Sequence, residues 1–260
     1  FALNDIYTVT LQDGLNGYSG TRDSTMYGAK WHENRNFGAD KEVRSGLRAK
    51  YRPMVRFAVF QDEGGPVPRG AEIVSASVGI YKTTVYNSTW EFYQLKKQFT
   101  ELEVCWNRAS VAEAWTVPGA GGDGTDRLAE PVADAWLGWD PGWVLADVTS
   151  SLQNISDGAT NGGWLVIQKP TDFRMVNFAM REHDNQIIRP KLTISYRLPP
   201  QAVIATTPDP AQGYAPLTVN FDSSGSSDPD GTILFSYWQF GDGEWGEGTT
   251  VSHCLPSRNL

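Results

Sequence analysis

The sequence is poor in the residues that build zinc sites and nucleophilic catalytic centres. Its 260 residues include only 2 cysteines and 3 histidines. Two thiols cannot make a cysteine-rich zinc site, and no histidines lie at a spacing that would complete a mixed Cys/His site. No Ser, His and Asp order with a nucleophile elbow is present, which disfavours a serine hydrolase. Cys105 and Cys254 lie far apart in the chain, and either a disulfide or two free thiols is consistent with them.

The chain also lacks an excess of positive charge and any long apolar run. Its formal net charge is −8 and its pI is about 4.9. A protein that holds a phosphate backbone or an anionic membrane through its overall field is basic, so we expect no nucleic-acid partner. No apolar run approaches the ~20 residues of a membrane helix, so we expect no membrane insertion. A local basic groove for an acidic polysaccharide is still compatible with this charge.

Helical periodicity is scarce, and strand patterns dominate. The two helix candidates, Ser110 to Trp115 and Asp147 to Gln153, are short. Asp5 to Leu11 alternates with period two, and Gly163 to Ile167 is a short apolar strand behind a turn. Many short strands with almost no helix predict an all-β fold, an antiparallel β-sandwich or jelly roll.

A break in the pattern predicts a domain boundary. The run Leu198-Pro199-Pro200 cannot continue a central strand, because proline lacks the N–H that the ladder needs. A second β segment follows this run. We therefore place one domain at residues 1–198 and a smaller one at 199–260.

Several stretches of the first domain follow one family pattern. They are Gln12 to Asp23, Asn36-Phe37-Gly38, Val55-Arg56-Phe57, Pro68 to Tyr81, Val104 to Ala109, Ala114 to Ala120, Asp147-Val148-Thr149 and Arg181 to Leu192. Together they resemble the DNRLRE, or disaggregatase-related, family of extracellular jelly-roll modules over about residues 7–197. Ala58 and Cys105 depart from the family, which has Asp and Thr at these positions. The resemblance implies a secreted or cell-surface protein whose partner is a polysaccharide.

The second domain carries three motifs in order. They are Ala215 to Asp222, Gly225 to Ile233 and Trp238 to Gly243. They resemble a PKD domain, a small immunoglobulin-like β-sandwich. Such a domain continues beyond His253 into a turn and two strands, whereas this chain has HCLPSRNL. We therefore expect the last strands to be missing, with an open edge and uncovered apolar surface.

Aromatic residues in turns are the candidates for sugar binding. Sugars present apolar C–H faces that stack on flat aromatic rings, and hydroxyl edges that bind amides and carboxylates. The stretch WLGWDPGW places Trp136, Trp139 and Trp143 in a Gly/Pro turn, and Trp31 and Tyr27 belong to another loop. The alternative is that a given tryptophan packs in the core of the sandwich. This alternative is weaker for Trp139 than for the others.

Acidic residues suggest a calcium site, and a basic pair flanking a histidine suggests catalysis. Asp13, Asn16 and Asp23 offer the oxygen ligands of a structural Ca²⁺ ion, although an ordinary Asp/Gly turn is the favoured alternative. In a polysaccharide lyase, His183 would be the base that abstracts a proton. The flanking Arg181 and Arg189 would neutralise the carboxylate of the substrate. The favoured alternative is a structural ion pair between Arg181 and Glu182.

Three functional hypotheses follow, and the first is preferred. The jelly roll is a non-catalytic carbohydrate-binding module joined to a PKD spacer or interaction domain. The second hypothesis makes the jelly roll a polysaccharide lyase or glycoside hydrolase. In the third, the protein is a surface or filament subunit that self-associates, because the open PKD edge takes a strand, for example residues 1–11, from a neighbour. The acidic turn Gly241-Asp242-Gly243 is interpreted as turn chemistry and not as a ligand site.

Overall fold

A computed structural model describes residues 5–169 and 173–255. The chain divides into two compact units. The first is Tyr7–Tyr196, and the second takes in residues 5–6 and 197–255. Both are built almost entirely from antiparallel strands, which confirms the predicted all-β class. Over the described ranges, no helix is long and apolar enough to span a membrane.

In its described residues, the first unit contains eleven strands, one short α-helix and two single-turn 3-10 helices, Gln61–Glu63 and Gln186–Ile188. The strands and the α-helix are β1 (Tyr7–Gln12), β2 (Thr21–Tyr27), β3 (Glu42–Gly46), β4 (Tyr51–Phe57), β5 (Glu72–Lys82), β6 (Ser88–Gln94), β7 (Ala133–Leu137), β8 (Gly142–Asp147), α1 (Thr149–Ser156), β9 (Trp164–Gln168), β10 (Met175–Ala179) and β11 (Lys191–Arg197).

The strands pair in the order β1-β11-β5-β10-β3-β4-β9-β6-β7, with β2 on β4 and β8 on β5. The β3–β10 ladder is joined to its neighbours by single residue pairs, Gly46 with Tyr51 and Phe178 with Lys82. It therefore forms a side wall between two larger layers of the sandwich. One layer contains β1, β11, β5 and β8, and the other contains β2, β4, β9, β6 and β7.

A long excursion between β6 and β7, residues 95–132, covers the outer face of the second layer. Phe99, Val104 and Trp115 from this segment pack with Met26 and Met54 into a buried cluster. This cover explains why every residue of β9 is buried, since the strand has apolar neighbours on both faces. The predicted helix at Ser110 to Trp115 is wrong, because this part of the excursion forms bends and an isolated bridge between Arg108 and Ala114. Trp115 is buried there, whereas Val111 is exposed. The other helix candidate overlaps α1.

Within residues 197–255, the second unit has five short strands in two small sheets. They are β12 (Ala205–Thr207), β13 (Leu217–Asp222), β14 (Tyr237–Gln239), β15 (Trp245–Glu247) and β16 (Thr250–Leu255). β13 lies between β12 and β16, while β14 pairs with β15. Val219 and Trp238 are buried, and the indole Nε1 of Trp238 donates to the carbonyl of Gly248 at 2.8 Å. The core of this unit is accordingly small.

The stretch HCLPSRNL begins as strand. β16 runs to Leu255 and pairs with β13 along its whole length, with Val219 opposite His253. His253 is buried, stacks on Phe240 with ring centroids 4.0 Å apart, and contacts Asp242 at 2.8 Å. The first three residues of HCLPSRNL therefore contribute to the sheet, contrary to our expectation. Residues 256–260 and residues 1–4, part of the segment suggested as a donated strand, lie outside the described residues.

Candidate functional site

One candidate site in the first unit is an open polar cleft of about 550 Å³. Its floor and walls come from β2, β3, β4 and β10 and from the loop at residues 28–41 that follows β2. The lining residues are Thr25, Tyr27, His32, Arg35, Phe37, Asp40, Glu42, Val43, Arg44, Tyr51 and Asn177. Of the residues that we predicted to bind sugar, the cleft contains Tyr27.

Strand register brings two tyrosines together in the cleft. Tyr27 on β2 lies directly opposite Tyr51 on β4, and their rings stack with centroids 3.9 Å apart and planes 4° apart. Such cross-strand aromatic pairs stabilise a sheet by about 0.2–1 kcal/mol. Hydrogen bonding with Tyr51 is the main cause that raises the pKa of Tyr27 above its ordinary value, so Tyr27 is a neutral phenol at physiological pH. His32 tilts against the Tyr27 ring at 5.2 Å, so the tyrosine offers its edge and hydroxyl more than a free flat face.

The loop beside the cleft is firmly anchored, and it holds Trp31 in solvent. The Asn36 side chain donates to the carbonyls of Glu101 and Val104 at 2.7 and 2.8 Å. Trp31 precedes the cleft residue His32, is 85% exposed and has φ of 76°. A bulky residue in the left-handed region is strained, and a largely exposed indole gains little packing in return. This combination marks Trp31 as a candidate contact residue at the edge of the cleft.

Ionic and amide groups line the wall that β3 and β10 form. Arg44 on β3 lies opposite Asn177 on β10. The Glu42 carboxylate accepts a hydrogen bond from Thr83 at 3.2 Å and lies 3.8 Å from Nε2 of His183. With Arg35 and Asp40, the cleft has two arginines and two carboxylates, a balanced set of donors and acceptors for a ligand rich in hydroxyl groups.

The three tryptophans of the WLGWDPGW stretch lie apart from the cleft lining. Trp136 lies on β7, which pairs with β6, whereas Trp143 lies on β8, which pairs with β5. The turn between them crosses from one layer to the other, so the two rings belong to different layers. Trp139 sits in this turn under Arg174, 5.4 Å from its ring centroid, and Trp143 packs under Lys191 at 3.9 Å. Their role in sugar binding stays a prediction.

A buried ammonium holds that turn. Nζ of Lys82, a buried residue on β5, donates to the backbone carbonyls of Tyr86, Gly138 and Trp139. Burial lowers the pKa of Lys82 from its ordinary value, and the nearby Asp140 opposes this shift. The three carbonyls give the buried amine hydrogen-bond partners.

The predicted calcium residues divide between a buried cluster and an exposed turn. Asp13 and Asp23 meet around Arg181, while Asn16 lies in an exposed turn at φ of 51°. Arg181 contacts Asp13 at 3.0 Å, Glu101 at 2.7 Å and Glu182 at 2.8 Å, and its backbone N–H donates to Asp23 at 2.8 Å.

Oxygen atoms of Asp23, Glu101 and Glu182 lie within 4.8 Å of one another, the spacing of a metal-binding trio. The guanidinium of Arg181, however, already supplies positive charge at hydrogen-bond distance. A Ca²⁺ ion would have to compete with it, so the residues suit an arginine-centred ion network better than calcium. Calcium binding stays a prediction.

Burial controls the ionisation of this cluster. Burial, followed by the charge of Glu182, raises the pKa of Asp23 well above its ordinary value. Burial also raises the pKa of Glu182, and Glu101 adds to the shift while Arg181 opposes it. Burial alone would lower the pKa of Arg181, but Glu101, Glu182 and Asp13 together outweigh it and raise that pKa. The arginine therefore stays charged among four carboxyl groups.

The three predicted catalytic residues are engaged in structural contacts. Arg181 is the centre of the ion network, including the ion pair with Glu182. Arg189 donates to the backbone carbonyls of His183 at 2.8 Å and Asp13 at 3.2 Å. Nδ1 of His183 accepts from the backbone N–H of Asn185 at 3.1 Å. These contacts orient loops, and a catalytic role for the three residues stays a prediction.

The comparisons with known proteins bear on the second unit. Residues 198–257 match the family model of the PKD domain. No curated protein matches the chain. A PKD domain is an immunoglobulin-like interaction module typical of extracellular proteins. The match covers the turn Gly241-Asp242-Gly243, where two glycines adopt positive φ at 84° and 99°.

The cleft contains functional candidates that the sequence did not single out. Tyr51, Arg44 and Glu42 lie on strands whose partners are far away in the chain. Their grouping depends on the register of β4 with β2 and of β3 with β10. The one local signal was the alternation of buried and exposed residues in β3, where Val43 and Ser45 point inward and Glu42 and Arg44 outward.

Proposed function

We propose that the first unit is a non-catalytic carbohydrate-binding module, and that the PKD domain acts as its spacer or interaction domain. The observation that carries the proposal is the polar cleft beside the strained, exposed Trp31. Hydroxyl groups of a sugar would bind Arg44, Glu42 and Asn177, and an apolar sugar face would stack on Trp31. The resemblance of residues 7–197 to the DNRLRE family supports a polysaccharide as the ligand and an extracellular location.

A panel of neutral, amino and acidic polysaccharides in affinity electrophoresis tests this function. We expect at least one glycan to retard the wild-type protein. Arg44→Gln and Trp31→Ala should each weaken that retardation by about tenfold or more, because each removes one contact worth about 1–2 kcal/mol. Trp245→Ala is the matched control, since it removes an exposed indole from the second unit, outside the cleft and outside the set predicted to bind sugar. Unchanged migration of the wild type on every glycan would count against the proposal.

The products of a reaction would distinguish the catalytic hypothesis from simple binding. A lyase acting on an acidic polysaccharide would create an unsaturated product, and absorbance near 235 nm would rise with time. We expect no rise over many hours, because Arg181 and Arg189 are held in structural contacts. A rise that Arg44→Gln abolishes would place catalysis in the cleft and refute the non-catalytic assignment.

Self-association through the PKD domain is supported by an apolar surface. Leu234 is 87% exposed and Phe235 is 78% exposed, and both line a groove of about 420 Å³ with Val203 and Ile204. Exposed apolar patches of this kind favour association, and the partner that we propose is a second copy of the chain. Light scattering at increasing concentration tests it, with Leu234→Ser as the variant; a strictly monomeric wild type excludes the association.

A further inference from the structure

Two arginines lie side by side on the outer face of the β2–β4 pair. Arg22 on β2 is the direct register partner of Arg56 on β4. Successive residues of a strand point to opposite faces, so this pair faces away from Tyr27 and Tyr51, which are an odd number of positions away along their strands. Side chains directly opposite each other have Cβ atoms about 5 Å apart, where like charges destabilise a sheet. The repulsion between the two arginines therefore lowers the stability of the sheet, and no contact within the pair offsets it.

Arg22 has hydrogen-bond partners in the described residues, whereas Arg56 does not. Arg22 donates to the carbonyls of Ser19 and Thr21. The side chain of Arg56 makes no hydrogen bond and no ion pair with any residue that the structure describes, and its Nε is buried. A third arginine on the same face, Arg52, donates to the carbonyls of Ala49 and Gly119 and lies over the Trp106 ring. Arg56 alone among the three lacks such partners.

Both guanidinium groups line one pocket of about 650 Å³. The excursion contributes further polar side chains to it, among them Gln98, Thr100 and Ser110. Two carboxylates are present as well, but Glu101 accepts from Arg181 and from the backbone of Asp23, and Glu103 accepts from the backbone N–H of Val111. No carboxylate in the described ranges lies within ion-pair distance of Arg22 or Arg56.

We propose that this pocket binds an oxyanion, a carboxylate, sulfate or phosphate group, between Arg22 and Arg56. An oxyanion accepts paired N–H groups from guanidinium forks, and it would neutralise the like-charge pair and give the buried Nε its missing acceptor. Burial lowers the pKa of Arg56, the charge of Glu63 opposes this, and the charge of Arg22 lowers it further, so a bound anion would reverse part of that shift. The site lies on the opposite face of the strands from the cleft and does not depend on the proposed sugar binding.

The test uses the full chain and follows thermal unfolding of the first unit. Sodium sulfate, sodium phosphate and sodium acetate are titrated against sodium chloride at equal ionic strength, so that general screening cancels. We expect a saturable rise in Tm with at least one oxyanion, because a ligand that binds only the folded state stabilises it. The order of sulfate, phosphate and acetate tells a tetrahedral anion from a planar carboxylate.

Variants assign the effect to the pocket. Arg56→Met keeps the apolar stem and should weaken the apparent affinity by about tenfold or more, since it removes charge-assisted hydrogen bonds. Arg56→Lys, the milder change, keeps the charge but loses the fork and should also weaken it. Glu103→Gln should tighten binding by removing a repulsive charge. Lys169→Met, an equal charge change at a surface cation outside both the pocket and the cleft, is the matched control and should leave the affinity unchanged.

Two results would overturn the proposal. One is the absence of any saturable rise beyond chloride in the wild type. The other is an equal rise in wild type and both Arg56 variants, which would mean that the anion binds elsewhere. Loss of the rise in the Arg56 variants but not in Lys169→Met supports it, whether or not any glycan binds the cleft.

Discussion

Replacement of Arg181 with methionine tests the ion network most severely. The variant keeps an apolar side chain of similar length but leaves Asp13, Asp23, Glu101 and Glu182 without their common cation. The substitution removes three ion pairs of 2.7–3.0 Å, and the side chain of Arg181 is only 27% exposed. Breaking a largely buried ion pair by removing one partner costs about 3–5 kcal/mol.

For a unit of this size, 1 kcal/mol corresponds to a change in Tm of about 2–4 °C. We therefore expect Arg181→Met to lower the Tm of the first unit by about 6–20 °C at pH 7, as measured by calorimetry. The difference should shrink toward pH 4, because protonated carboxyl groups no longer need the cation.

The control for this variant is Lys41→Met. Lys41 contacts Asp184 at 2.7 Å, but its side chain is 59% exposed and that of Asp184 is 80% exposed. Exposed pairs contribute about 0–1 kcal/mol, so the control should change Tm by no more than a few degrees. Equal, small effects of the two variants would refute the view that Arg181 organises the buried carboxylates.

Three other predictions concern the same region. Burial raises the pKa of Asp23, so the fold binds this proton more tightly than the unfolded chain does, and its contribution to stability is lost as pH rises from about 4 through the raised pKa. Asp23→Asn should flatten that loss in a series of melts from pH 4 to 8; an unchanged slope would contradict the assignment. Gly38→Ala should destabilise the first unit by about 1–3 kcal/mol in urea unfolding, because the new Cβ would overlap the carbonyl oxygen of Glu101. Gly142→Ala, whose Cβ meets nothing within 4 Å, is its control, and equal effects would refute the steric argument. Chelation with EDTA should leave the Tm of the first unit unchanged, since Arg181 supplies the positive charge; a clear fall would restore the calcium hypothesis.

Local sequence patterns were enough for the fold class and the strand regions. Period-two alternation in β1 and the apolar run of β9 each predict a strand without reference to distant residues. The Ser110 to Trp115 segment was misassigned because so short a stretch carries little periodicity. Val111 is 68% exposed, and of the apolar residues in this segment only Trp115 is buried.

The candidate site was only partly accessible to sequence reasoning. Trp31 was found because an aromatic residue in a turn stands out on its own. Tyr27 was found for the same reason, but it ends strand β2 and does not lie in the predicted loop. Arg44 and Tyr51 were not found, since β3 and β4 acquire their neighbours through pairing with β10 and β2. The grouping of Asp13 and Asp23 was anticipated from their short separation, but their partner Arg181 lies more than 150 positions away.

The most direct measurement of the central claim uses the indole N–H resonances of the ten tryptophans. The wild-type protein is titrated with the oligosaccharide form of the best-retained glycan, and signals are assigned with single Trp→Phe variants. If sugar binds at the cleft, the Trp31 signal shifts in a saturable manner while the Trp136 signal stays unchanged. A shift confined to Trp136, Trp139 and Trp143, or no shift on any glycan, would contradict carbohydrate binding at the cleft.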